Sequence, residues 1–311
     1  SVPEDCILIN PHLRADQAQR WGYLCTVGLV FKLAHALLKH LRQAGMPQAH
    51  HFDLRSHLDL VALGTVADLV PLIEENRTLV RFGLGELART RNAGLRALAS
   101  VAGLRLGDPL QPNDVSFRLG PRINACGRLS DAELPIQLLL EKDPLRALSC
   151  AQELDQTNRR RQGIERSVVE EAMACLKEAP EEYTGYVAYN PEWHPGVVGI
   201  AAGQLTRHFH RPCIVLGAEG DMARGSGRSV PGIDLVAVLS RCDHLLGNWG
   251  GHPMAVGLSL PQKHVQAFSE AFHQAIQEIL QGPAPEASLE VAYWLSLEAI
   301  GPRLLQDLDQ L

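Results

Sequence analysis

The sequence predicts an α/β protein of two domains joined by one long helix, and three observations predict it. The chain has 311 residues, 46% of them hydrophobic, which exceeds one typical domain and suffices for two cores. Residues 144–177 are rich in Leu, Ala, Glu and Arg, with Leu148, Ala151, Leu154, Ile164, Val168, Ala172 and Leu176 at helical spacings. After residue 185, short apolar runs alternate with helical patterns, the mark of a compact α/β domain of about 100 residues.

Taken in order, residues 6–11 form a short apolar run ended by Asn10-Pro11 and read as a strand. Residues 22–45 read as a helix with Val27, Val30, Phe31, Ala34, Leu37, Leu38 and Leu41 on one face. Residues 59–63 read as a buried strand or as the apolar start of a helix; so short a run fits both. Residues 76–90 and 93–102 read as helices. Residues 118–128 carry three arginines and no acid, and Gly120, Pro121 and Gly127 favour a loop able to contact phosphate over a solvated helix face. In the long helix the centre, residues 158–163, is polar on all sides, as suits a connector between domains, and residues 179–182 end it.

The second domain is expected as strand 186–189, helix 196–209, strand 212–216, strand 222–229, helix 234–245, strand 254–260 and helix 264–280. Residues 282–286 read as a linker, and 289–297 as the first strand of a further domain. The divisions expected are therefore 1–143, 144–180, 181–282 and 283–311.

Composition narrows the function. No apolar stretch approaches the roughly 18–20 residues of a membrane span, so no membrane partner is expected. The first residues lack the basic start and apolar run of a signal peptide. Seven cysteines without a CxxC pair read as reduced thiols of a cytoplasmic protein, neither a disulfide framework nor a zinc site. A net charge of −6 argues against a diffuse basic surface, so contact with a polyanion must be local.

Two places offer that chemistry. Asp68 directly follows the apolar run 59–63 and its continuation, where a buried carboxylate needs a cation, a metal or several donors beside it. Gly225-Ser226-Gly227-Arg228-Ser229 and Gly250-Gly251-His252 set small residues around an Arg and a His, so that backbone N–H groups and a guanidinium can close on a phosphate. A metal-competent carboxylate and a phosphate-competent loop together point to a phosphodiester. Aromatics are only 5%, and Trp193 and Trp249, beside the motifs, read as packing residues.

Five segments in this order resemble the RecJ family of single-stranded-DNA exonucleases within the DHH phosphoesterases. They are residues 63–72, 118–128, Trp193-His194-Pro195-Gly196-Val197-Val198-Gly199-Ile200, 225–229 and 250–252. The resemblance implies the C-terminal part of a DHH catalytic domain, a connector helix, a DHH-associated domain and the start of an oligonucleotide-binding barrel. It implies 5′–3′ hydrolysis of single-stranded DNA in repair and recombination with two Mn2+ or Mg2+ ions. Asp68 matches a metal ligand, and His252 a catalytic position facing the substrate. Ser226 and Arg228 match positions that hold the 5′ phosphate, with Gly227, Ser229, Gly250 and Gly251 lining the same site. Arg118, Arg122, Asn124 and Arg128 match a loop tracking the DNA backbone. Single-stranded DNA is the implied partner, with a single-strand-binding protein and a helicase beyond it. The family's other metal ligands, including its Asp-His-His triplet, have no counterpart, and His50-His51 reads as a solvated pair. The expectation is therefore a fragment, inactive alone. Two other readings compete: a DHH-type oligoribonuclease or cyclic-dinucleotide phosphodiesterase, and a RecJ-like scaffold without catalysis.

Overall fold

The computed structural model describes residues 6–129, 131–177, 180, 183–280, 282, 285–289 and 291–309. The chain divides into two compact units, residues 1–167 and 168–311, so the division falls inside the long helix and not at its ends. Residues 179, 181 and 182 of the expected helix end, and 283 and 284 of the expected linker, lie outside the described residues.

The first unit is built of helices: α1 (Ala15–Trp21), α2 (Thr26–Gln43), α3 (Pro47–His51), α4 (Leu58–Ala67), α5 (Glu74–Ala88), α6 (Ala93–Val101), α7 (Pro112–Asp114), α8 (Gly120–Leu129) and α9 (Glu133–Leu140). Helix α10 (Pro144–Leu176) begins in this unit and continues into the next. The strand expected at 6–11 is not formed: residues 6–10 have no regular structure, and Ile7 is 94% exposed. A strand needs a partner for its backbone groups, and none pairs with it among the described residues. Helix α2 carries the expected apolar positions, yet Val30, Leu33 and Leu37 on it are exposed.

The ambiguous run at 59–63 is helical. Leu58, Val61, Ala62, Leu63 and Val66 of α4 are all buried, with Asp59 and Thr65 buried among them. A helix covered on every side has no apolar stripe, so its sequence loses the 3.6-residue period that would have identified it. Its neighbour α5 comes close enough at Gly83 that a Cβ there would run into the Leu58 carbonyl oxygen. Residues 118–128 are also helical, against the expected loop. A π-helical turn, Val115–Leu119, runs into α8, with Pro121 as the second residue of α8.

Helix α10 starts at Asp143, whose carboxylate accepts from the Leu145 and Arg146 N–H groups at 2.9 Å, and Pro144 follows at its first position. Its polar centre is not solvated all round: Asp155 is 8% and Asn158 3% exposed.

The second unit holds a five-stranded sheet in the order β1-β2-β3-β5-β4. Its strands are β1 (Tyr186–Tyr189), β2 (Cys213–Glu219), β3 (Met222–Arg228), β4 (Trp249–His252) and β5 (Ala255–Pro261). Only β1 and β2 are parallel, joined by the crossover helix α11 (Pro195–Phe209). Two hairpins make the rest antiparallel, β2–β3 turning at Gly220-Asp221 and β4–β5 at Pro253-Met254. One sheet face packs on α12 (Leu235–Arg241) and α13 (Val265–Leu280), where Phe268, Phe272, Ala275 and Ile276 repeat at helical spacing in the core. Strand β4 had no sequence signal, since Trp-Gly-Gly-His offers no alternation to read. The strand expected at 289–297 is absent from the described residues there, which lead through a short 3-10 turn, Leu297–Ala299, to helix α14 (Pro302–Asp309); residue 290 lies outside them. No single helix among the described residues is long and apolar enough to cross a membrane.

Candidate functional site

Strand register brings the second-unit motifs together. In a strand successive side chains face opposite sides, and directly paired residues share a face. Arg228 pairs with Ala255, which pairs with His252; Ser226 pairs with Gly257, which pairs with Gly250; Arg224 pairs with Ser259. His252, Arg228, Ser226, Gly250 and Gly257 therefore share one face of the sheet, opposite the α12–α13 core. Gly225, Gly227 and Gly251 take the other face, where side chains would not fit. A Cβ on Gly227 would strike Ile214 and Val256, and one on Gly251 would strike the Ala255 carbonyl. Gly251 also has φ = 149°, which favours glycine. The expected substrate contacts Gly227 and Gly251 thus serve the fold first. Ser229 is a correction of the same kind: buried, its hydroxyl donates to the Ile233 carbonyl at 2.7 Å and cannot reach a ligand.

Helix α11 supports that face, which explains the Trp-His-Pro-Gly segment. His194 caps the helix, its Nδ1 accepting from Gly196 N–H at 3.0 Å, and Pro195 opens the first turn. Trp193 is buried, as expected, with its indole N–H donating to Glu171 at 2.8 Å. Gly199 lies against the strand: a Cβ there would stand 3.2 Å from Ser226 Oγ and 3.5 Å from Arg228 Nη2. Arg228 runs along this notch and donates through Nη1 to the Gly227 carbonyl at 2.8 Å. Sequence reasoning missed Gly199 and Gly257, although the four-residue step from Pro195 put Gly199 on one helix face.

In the first unit Asp68 is exposed and follows α4, so the expectation of a carboxylate beside a buried strand is corrected. It is the C-cap, and Leu69 after it takes a left-handed backbone with φ = 57°. An acid at a helix C-terminus faces the negative end of the helix dipole, a placement that folding alone disfavours. Asp68 borders a cavity of about 480 Å3 with Asn10, His12, Cys25 and Thr26. An exposed carboxylate with room in front fits one oxygen ligand of a divalent ion. The described residues contain no group of three or more His, Cys, Asp or Glu side chains able to hold a metal, so they do not fit a complete centre. The buried carboxylate is Asp59, which accepts from Thr90 Oγ1 at 2.6 Å and from Leu60 N–H at 2.7 Å.

The arginine segment divides by direction. Arg118 turns inward, its Nη2 donating to the Ala102 and Gly103 carbonyls at 2.9 and 2.6 Å, which closes the end of α6. Arg122 is largely buried and pairs with Asp155 of α10 at 2.8 Å, while donating to the Arg118 carbonyl. Asp155 also takes Arg159, and Arg161 bridges Asn158 and Glu165. This buried polar seam is what the centre of α10 is for. Asn124 and Arg128, one turn apart on α8, are exposed. Desolvation first, then the Arg161 guanidinium, pull Arg128 below the ordinary arginine value, with Glu165 opposing. Arg118 and Arg122 are thus structural, and Asn124 and Arg128 are left as candidate contacts.

Comparison with known proteins gives a consistent picture. Residues 182–278 match the DHHA1 domain family. The chain is 39% identical over 293 residues to the single-stranded-DNA-specific exonuclease RecJ of Escherichia coli K12, covering 90% of this chain and 50% of that protein. To RecJ of Dickeya dadantii it is 37% identical over 317 residues, covering 98% and 54%. To RecJ of Bacillus subtilis it is 40% identical over 244 residues, covering 78% and 29%. The chain spans about half the length of these relatives or less. The crystal structure of Thermus thermophilus RecJ in complex with Mn2+ superposes with a TM-score of 0.78 at 30% identity, over 96% of this chain and 42% of that one. An exonuclease RecJ bound to manganese gives 0.71 at 30% identity, over 91% and 67%.

Proposed function

Since the chain belongs to the RecJ family, we propose that it takes part in 5′–3′ exonucleolytic hydrolysis of single-stranded DNA in repair and recombination, with its second unit gripping the phosphorylated 5′ end. The observation that carries this reading is the shared sheet face of Arg228, Ser226, Gly250 and His252. A guanidinium and a hydroxyl on one rigid strand can meet a terminal phosphate through charge-assisted hydrogen bonds. A glycine beside them leaves room for the sugar, and His252, exposed on the edge strand, can face the adjacent phosphodiester. The net charge of −6 accords with a local grip in place of a basic surface.

Mn2+ or Mg2+ is the proposed cofactor, a reading supported by the relatives that bind these ions. Such ions, when bound, would activate water and neutralise charge on the scissile phosphate. This chain's share would be Asp68 as one oxygen ligand, oriented by the end of α4. Asn124 and Arg128 are proposed to contact the DNA backbone. A cytoplasmic setting, supported by seven cysteines of which none is in a disulfide, belongs to the same proposal. A single-strand-binding protein and a helicase as partners rest on the family resemblance alone.

The test is binding of labelled single strands to the chain with and without a 5′ phosphate. We expect 5′-phosphorylated strands to bind more tightly than 5′-hydroxyl strands, and Arg228→Ala to abolish that difference. Arg228→Lys should recover little of it, because an ammonium lacks the planar fork. Equal losses on both substrates would reduce Arg228 to a general backbone contact and remove the proposed 5′-end grip.

A further inference from the structure

Glu171 belongs to α10 and to none of the sheet motifs, yet it is tied to the turn that leads from β1 into α11. Its Oε2 accepts from the Trp193 indole N–H at 2.8 Å and from Asn190 Nδ2 at 3.3 Å. Asn190 wires that turn internally: its Oδ1 accepts from the Glu192 N–H at 3.0 Å and its carbonyl from the Trp193 N–H at 3.1 Å. Its own N–H donates to the Leu216 carbonyl of β2 at 3.3 Å. Trp193 is buried, and a Cβ on Gly217 of β2 would run into its carbonyl oxygen. A buried tryptophan needs an acceptor for its indole N–H, and here the acceptor comes from a different element.

This turn fixes where α11 begins, because His194 and Pro195 follow Trp193 directly. Farther along α11, a Cβ on Gly199 would stand 3.2 Å from Ser226 Oγ, and one on Gly203 would stand 3.9 Å from Arg228 Cγ. The two glycines, four residues apart, lie on one helix face and wall the notch in which Arg228 runs. Near the far end of α11, Thr206 Oγ1 donates to the Arg228 carbonyl at 3.2 Å, so that end is tied to β3 directly. At the near end the side-chain tie runs through Trp193 to Glu171. A shift of the near end moves the Gly199 wall against Ser226 and Arg228. Charge-assisted hydrogen bonds to a phosphate are strict in geometry, so the wall's place matters to the grip.

We propose that Glu171 is a positioning residue for the 5′-end grip, acting through Trp193 to set the start of α11 and so the notch that aims Arg228 and Ser226. The assignment rests on the end-gripping reading above. It adds to that reading a side chain of the connector helix, which makes α10 part of what sets the grip.

The test measures binding of 5′-phosphorylated and 5′-hydroxyl single strands to the full 311-residue chain and to its variants. Glu171→Leu removes the acceptor, and Trp193→Phe removes the donor while keeping a ring in the buried place. In each, the preference for the phosphorylated strand should fall by about tenfold, the scale of one hydrogen bond to a charged group. The hydroxyl strand should bind as before. Glu171→Gln keeps an oxygen for both donors and should keep the preference. The double variant Glu171→Leu with Trp193→Phe should fall no further than either single one, because both break the same contact. Circular dichroism and a melting curve check the fold, and Trp193→Phe carries the test if Glu171→Leu does not fold. A preference that survives either substitution in folded protein, or that Glu171→Gln loses equally, overturns the positioning role and leaves the end grip standing. An equal loss on the hydroxyl strand marks a general packing defect and overturns it as well. A wild-type chain without the phosphate preference overturns both.

Discussion

At the scale of single residues, Asp68 sits where the backbone is least hospitable to it. The C-terminal carbonyls of α4 repel its charge. Asp68→Asn should therefore stabilise the chain by about 0.3–1 kcal/mol in metal-free buffer, read from urea unfolding. A loss of stability would show that Asp68 is held by donors after all. The residue was legible in the sequence by its motif but not by its surroundings, because a helix buried on all sides hides its period. Ser226 and Arg228 were legible together. Their neighbours Gly257 and Gly199 were not, since a glycine that serves by lacking a side chain leaves no chemical mark.

At the scale of elements, the seam between α8 and α10 overturns the reading of residues 118–128 as a substrate loop. Arg122→Ala would leave Asp155, 8% exposed, with only the surface residue Arg159 for company. Breaking one partner of a buried pair costs about 3–5 kcal/mol; with Arg159 remaining, about 3 kcal/mol is expected. Thermal unfolding measures it, and an unchanged melting temperature would return Arg122 to the list of DNA contacts. The sequence displayed these arginines but not their direction. Direction depends on α10 being packed against α8 through polar groups, and a helix whose buried face is polar cannot be told from a solvated one by composition. The long helix itself, by contrast, was read to within one residue of its end, because length and spacing alone define it.

At the scale of the whole molecule, the cysteines report on folding. Burial pushes Cys213 up to about 12, against a hydrogen bond to Thr206, and Cys242 up to about 11, with Glu278 adding to it. The thiolate is the reactive form, so at pH 8 both should resist alkylation in the native state while the exposed Cys6 and Cys175 react. Mass spectrometry after brief iodoacetamide treatment distinguishes the sites; early labelling of Cys213 would mean that the sheet opens. That sheet also gives the site a reading frame. Every group of the proposed end grip lies at an even number in chain order: 226, 228, 250, 252. Each two-residue hairpin pairs an even with an odd number, so the same face carries even residues in β3 and β4 and odd ones in β2 and β5. One residue inserted within β3 would exchange its two faces downstream, sending Arg228 toward Ile214 and the core while glycines faced the ligand. Changes of length here are thus forbidden in odd steps, a constraint no single substitution would reveal.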